Sequence, residues 1–168
     1  MPFAYYQNLG QAQKRTYDRS DAIVEIPVPG AGSLSTEVDA VAQALSRDDR
    51  AAVQRALQRL CDAMTAALRV APVQLKTLAA RPADDWGELQ GLYQAGDDDN
   101  AAQITVWMRT AQRRQPVAFR TFLRTFVHEL CHHLDFELFK LDDTFHTEGF
   151  FKRESHLMHQ LLGAGEGG

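Results

Sequence analysis

Hydrophobic positions along this chain recur at two spacings, and each change of spacing marks an element. Over residues 36–45 and 48–68 they fall three and four apart, which predicts two helices. In the second, Val53, Ala56, Leu57, Leu60, Met64 and Leu68 share one stripe, and Ser35 or Ser46 are candidate caps. Residues 73–78 and 88–93 then read as short strands and 102–108 as a clearer one, with Asp97-Asp98-Asp99-Asn100 marking the turn before it. The helical period returns from Pro116, a residue suited to a first turn, to about Leu141. There Phe119, Leu123, Phe126, Leu130, Leu134 and Leu141 fall on one side. After a break over 141–145, a further helical pattern opens around residues 146–151 and buries Phe150, Leu157, Met158 and Leu161.

These elements predict one α+β domain over 1–168, with a small mixed or antiparallel sheet packed on the helix after Pro116. The segments are an irregular 1–30, a helical 35–69, strands over 73–108, two helices over 116–162 and a flexible tail at 163–168. The first thirty residues show no clear period. Such a segment wraps a domain as packing or covers a cleft as a lid.

The face of the 116–141 helix opposite its apolar stripe carries Arg120, Arg124, His128, His132 and Asp135, with Phe136 and Phe139 leaning toward it. A wholly solvated face has no use for the phenylalanines, so the helix is expected to form the floor of a cleft. Within it stands His128-Glu129-Leu130-Cys131-His132. At about 100° per residue, two histidines four apart lie one above the other and can reach a common point. Zinc takes imidazole nitrogens at about 2.0 to 2.1 Å in a tetrahedron, and a catalytic site keeps one corner for water. Glu129 sits about 100° to the side of His128. That makes it a poor co-ligand and a suitable general base for the water the ion activates.

A third ligand must come from a following element. His146, fourteen residues after His132, is the first candidate because a histidine at a loop-to-helix junction can fold back onto the first helix. Glu154 is the alternative. It falls in the middle of the apolar face of the last helix, where an unpaired carboxylate is costly. Its partner must be the metal, a ligand histidine or an arginine. Asp135 and Glu148 are zinc donors by type as well. Cys131, about 60° from His128 on the side away from Glu129, reads as a packed thiol, since a fourth protein ligand would close the water position.

With these residues the chain resembles the small zincin metallopeptidases, closest in arrangement to the SprT-like peptidases. Their pattern is HExxH, often with a cysteine in the fourth place, then a histidine, a glycine and an aromatic about a dozen residues on. Here those are His128, Glu129, Cys131 and His132, then His146, Gly149 and Phe150, with Thr147 and Glu148 between the histidine and the glycine. The resemblance covers about the last seventy residues. It implies a zincin-like fold, one Zn²⁺ on His128, His132 and His146, and hydrolysis of a peptide or protein substrate with Glu129 as the base. It also implies that the 104–108 strand forms the upper edge of the cleft and pairs with the substrate. A thermolysin-like arrangement would instead give the third ligand to Glu154. Arg124, Asp135 and Glu154 are then expected behind the ligands or at the substrate. An oxyanion would be met by Arg120, Arg124, His133, His156 or His159.

Composition narrows the partners. At 45% hydrophobic, 24% charged and net charge −4, the chain reads as a soluble globular protein. No apolar run reaches membrane length and no signal-peptide core opens the chain, so the cytoplasm is the expected compartment. Two cysteines make no disulfide framework. No acidic side chain falls between Asn100 and His128, whereas Arg109, Arg113, Arg114, Arg120 and Arg124 do. Such a patch could meet nucleic acid, and SprT-like peptidases include members acting on DNA-bound proteins. Arg120 and Arg124, on the metal face, could instead pair with Glu154, Asp135 or Asp142, or receive a substrate carboxylate. A non-catalytic, zinc-stabilised binding protein is the competing class, and the oligomeric state is not legible.

Overall fold

The computed structural model describes residues 2–80, 91–109 and 117–166. Within them the chain is α+β, with five α-helices and a three-stranded mixed sheet. The helices are α1 (Gln11–Ala22), α2 (Ser35–Ser46), α3 (Arg50–Leu68), α4 (Phe119–Glu137) and α5 (Glu148–Glu166). The strands are β1 (Val73–Leu78), β2 (Gly91–Gln94) and β3 (Ala102–Trp107). α2 and α3 follow their apolar stripes, but neither candidate serine caps them. Asp49 caps α3 by accepting the Ala52 N–H at 3.1 Å, while Ser46 turns back onto the carbonyl of Gln43.

The sheet order is β1-β3-β2, with β3 parallel to β1 and antiparallel to β2. This corrects the expectation that the 104–108 strand is the cleft edge. Ile104, opposite both Leu75 and Tyr93, is fully buried, as is Val106, and a strand of that kind fits between two neighbours. Among the described residues the outer strand on the other side of β3 is β2, and residues 88–90 of the expected strand lie outside them. The far side of β1 is closed by α3. Gln54 and Gln58, one helical turn apart, bond the backbone of Val73, Leu75 and Thr77 with both ends of their amides, at 2.5 to 2.9 Å. Two side chains thus stand in for a fourth strand and protect a β edge.

α4 lies between the sheet and α5. It begins at Phe119 and ends at Glu137, shorter than the expected span, and Pro116 lies outside the described residues. Phe122, Leu123, Phe126, Val127, Leu130, Cys131 and Leu134 are all buried, so its apolar surface is broader than one stripe. The strip bearing Arg120, Arg124, His128 and His132 keeps access to solvent.

Residues 2–30 carry helical structure where the sequence shows no period. A short 3-10 helix at Ala4–Asn8 precedes α1, whose buried residues are Thr16, Tyr17 and Ser20. No apolar stripe marks α1 because polar contacts fix it. The fully buried Arg153 of α5 donates to the carbonyls of Ser20 and Ile23 at 2.5 and 2.6 Å, at the end of α1 where helical bonding runs out. Gly149 lets the two helices approach this closely, since a Cβ there would lie 2.5 Å from the Ser20 oxygen. The extended stretch that follows runs along α5, with Ile26 N–H on His156 Nδ1 and Val28 N–H on Gln160 Oε1. The N-terminal segment is therefore packing. α5 itself continues to Glu166, past the residue where fraying was expected. Among the described residues no helix is long and apolar enough to cross a membrane.

Candidate metal centre

α4 presents His128 and His132 on one face, and the loop after it returns His146 to the same place just before α5 begins. One nitrogen from each of the three rings lies within 4.8 Å of the others, close enough to bind a metal ion. The Nε2 atoms of His132 and His146 are 3.1 Å apart. Metal–imidazole bonds of about 2.0 to 2.1 Å at the tetrahedral angle place two donors about 3.3 to 3.4 Å apart, so this spacing fits a shared cation. The donor set fits in kind as well, being all imidazole nitrogen.

The other ring nitrogens show how the donors are aimed. His128 Nδ1 is 2.6 Å from Glu154 Oε1, and Arg124 donates to the second oxygen of that carboxylate at 2.9 Å. His132 Nδ1 is 2.7 Å from Thr144 Oγ1, whose own proton goes to Asp135 Oδ2 at 2.8 Å. With its proton committed to Asp135, the Thr144 oxygen acts as acceptor, so the His132 proton sits on Nδ1. A carboxylate behind His128 imposes the same tautomer. Both Nε2 lone pairs then face the common point, as outer partners of metal-binding histidines arrange them. Asp135 is held in turn by Arg153 at 2.9 Å, and neither residue has any exposed surface. His146 is positioned through its backbone, where its carbonyl accepts the Tyr5 hydroxyl at 3.0 Å.

Electrostatics keep this cluster ready for a cation. Burial, and then the neighbouring His128 and His146, push His132 down to about 3, and burial with His128 lowers His146 too. Both rings are thus neutral near pH 7, as ligands must be. Burial alone would raise the Glu154 carboxyl, but hydrogen bonds from His128 and Arg124 outweigh it and hold it below its ordinary value.

Glu129 lies against β2. It is 6% exposed and accepts the backbone N–H of Tyr93. A Cβ on Gly91 would come within 3.0 Å of its Cγ and 2.7 Å of Thr125 Cγ2, so the strand passes this closely only because residue 91 is glycine. Burial raises the Glu129 carboxyl, partly offset by His128 and by the Tyr93 N–H. It is consequently a stronger base than a free carboxylate. The Tyr93 ring stacks beside those of His132 and Phe136, while its hydroxyl lies 3.0 Å from His133 Nδ1.

These contacts separate the alternatives that the sequence left open. Glu154 is not in the ligand cluster; it backs His128 and pairs with Arg124. Asp135 is buried behind the centre and acts on His132 through Thr144. His133 is spent on Ala71 O at 2.7 Å and on Tyr93, and His156 on the Ile26 N–H, so neither is placed to meet an oxyanion. Cys131 is fully buried, and burial raises its thiol well above the usual range. Of the arginine patch, Arg109 pairs with Asp48 and Arg124 with Glu154, whereas Arg113 and Arg114 lie outside the described residues. Sequence reasoning missed Thr144, Tyr93, Tyr5 and Arg153. Only Arg153 left a signal, as a second charged residue beside Glu154 on a buried helix face.

No family model matches this chain, and neither a curated protein nor a solved structure does.

Proposed function

We propose that the protein is a zinc-dependent metallopeptidase of zincin type, with His128, His132 and His146 holding the ion and Glu129 as general base. The observation that carries this reading is the convergence of three imidazoles whose outer partners, Glu154 and Thr144, turn Nε2 inward, with a buried carboxylate beside them on the same helix. Three imidazole donors suit zinc, and a three-ligand set leaves the coordination position that hydrolysis needs. When bound, zinc supplies a Lewis acid that makes water acidic near neutral pH and polarises a carbonyl. Glu129 takes the proton of the attacking water on a carboxylate oxygen and returns it to the departing amide nitrogen. Its elevated basicity follows from burial. β2, antiparallel to β3 and packed over Glu129 through Gly91, forms the strand side of the cleft, where an extended peptide would lie.

The test is hydrolysis of a mixed peptide library by zinc-loaded protein, read by mass spectrometry beside Glu129→Gln. Cleavage by the wild type, reduced about 10²- to 10⁴-fold in a variant that still carries its metal, is the expected result. Equal cleavage by both proteins would remove Glu129 from its role.

A further inference from the structure

Beside the metal centre, α4 and α5 enclose a second depression of about 230 Å³ that the proposed reaction does not use. Its polar lining is Arg120 and Arg124 from α4 and Ser155 and His159 from α5, with Met158 and Leu162 at 4% and 8% exposure beneath them. Among the described residues no carboxylate lines it. Glu154, which Arg124 contacts, has both oxygens engaged, one by His128 and one by Arg124. Arg124 spends one N–H on that bond, and its side chain is half exposed, so most of its five donors remain open to the depression. Two guanidiniums over an apolar floor attract an anion more strongly than the same charges in open water, because the floor lowers the local dielectric.

We propose that this pocket is an oxyanion site, taking a carboxylate or phosphate group on the Arg124 fork, with Arg120 as a second charge and Ser155 and His159 as further polar contacts. It is joined to the metal centre by a single carboxylate. Arg124 holds Glu154, and Glu154 holds His128, so an anion that draws Arg124 outward changes the acceptor behind a ligand. The anion has two sources, a free ion or an acidic group of the bound peptide. Arg124 and Arg120 lie one and two turns from His128, about 6 and 12 Å along the helix axis. An extended peptide rises about 3.3 Å per residue, so the acidic group would belong to a residue about two to four positions from the bond above the metal. That peptide arm alone rests on the metallopeptidase reading.

The experiment is an NMR titration of the full chain, with and without zinc, using inorganic phosphate and then acetate. Saturable shifts at the Arg124 Nε–H and the Ser155 and His159 amides are expected in both states. They should weaken at least about tenfold in Ser155→Asp, which sets a like charge at the mouth from an exposed position, and also in Arg124→Gln. Peptides with an acidic residue two to four positions from the cleaved bond would displace phosphate if the substrate supplies the anion. Phosphate left in place by such peptides supports a free ion in the same site. No saturable shift with either probe, shifts that survive Ser155→Asp, or shifts confined to the zinc-loaded histidines would overturn the proposal. Phosphate binding that persists in protein unable to take up zinc would keep the pocket and remove the peptidase reading instead.

Discussion

His128 and His132 stand one helical turn apart and converge on one point, yet what lies behind them differs in kind. Behind His132 runs a dry chain of Thr144, Asp135 and Arg153, the last two without exposed surface, ending on the carbonyls of α1. Behind His128 stands Glu154, and beyond it an Arg124 side chain that is half exposed. The first arm ties the centre to the fold, the second to the solvent. A buried charge pair is expensive to break, whereas an exposed guanidinium contributes little to stability and can be retuned by what binds it. The contrast assigns the two arms different work: one fixes whether the centre forms, the other how tightly it holds its ion.

Substitutions that separate stability from affinity would break this contrast if it is wrong. The largest effect is expected from Arg153→Leu, which leaves Asp135 buried without its cation and takes the guanidinium donor away from the carbonyls of Ser20 and Ile23. Denaturant unfolding should register a loss of about 3 to 5 kcal/mol. Glu154→Gln should instead leave the unfolding midpoint of metal-free protein nearly unchanged while lowering metal affinity about 10- to 100-fold in a competition titration. A large loss of stability there, or none in Arg153→Leu, would erase the distinction between the arms.

Acidification sharpens the same comparison. In metal-free protein His132 is lowered from 6.5 to about 3 by burial and then by the neighbouring His128 and His146. A depressed folded value means that the unfolded chain binds more protons over that interval. The contribution is present above pH 6.5 and is lost as the pH falls from 6.5 toward about 3. Unfolding measured across this window should show stability falling with pH, and His132→Gln should flatten the slope. The smallest effect is expected from Tyr5→Phe, which removes one hydrogen bond to the His146 carbonyl. About 0.5 to 1.5 kcal/mol of stability, with a slight weakening of metal binding, is the expected change by the same unfolding and competition measurements.

The parts of the molecule written as periods were legible in sequence. α2, α3, α4 and α5 follow apolar spacing, and His128, Glu129 and His132 follow from one turn of helix. His146 was legible as a histidine at a loop-to-helix junction. Glu154 showed through its cost: a carboxylate on an apolar face needed a metal, a histidine or an arginine, and it has taken the last two. What stayed hidden is held by polar contacts between distant segments. α1 buries Thr16, Tyr17 and Ser20 and is fastened by Arg153, so no hydrophobic period announces it. Thr144 carries no local pattern, because its role exists only once α4 and its following loop fold together. The position of β3 in the sheet depends on its neighbours, and a strand's own residues report burial rather than order.

Metal content by mass spectrometry, wild type beside His146→Ala after identical exposure to zinc, tests the three-histidine centre most directly. About one zinc per chain in the wild type and a clear loss in the variant is the predicted result. A wild type that takes up no zinc, or a variant that holds it undiminished, would contradict the account.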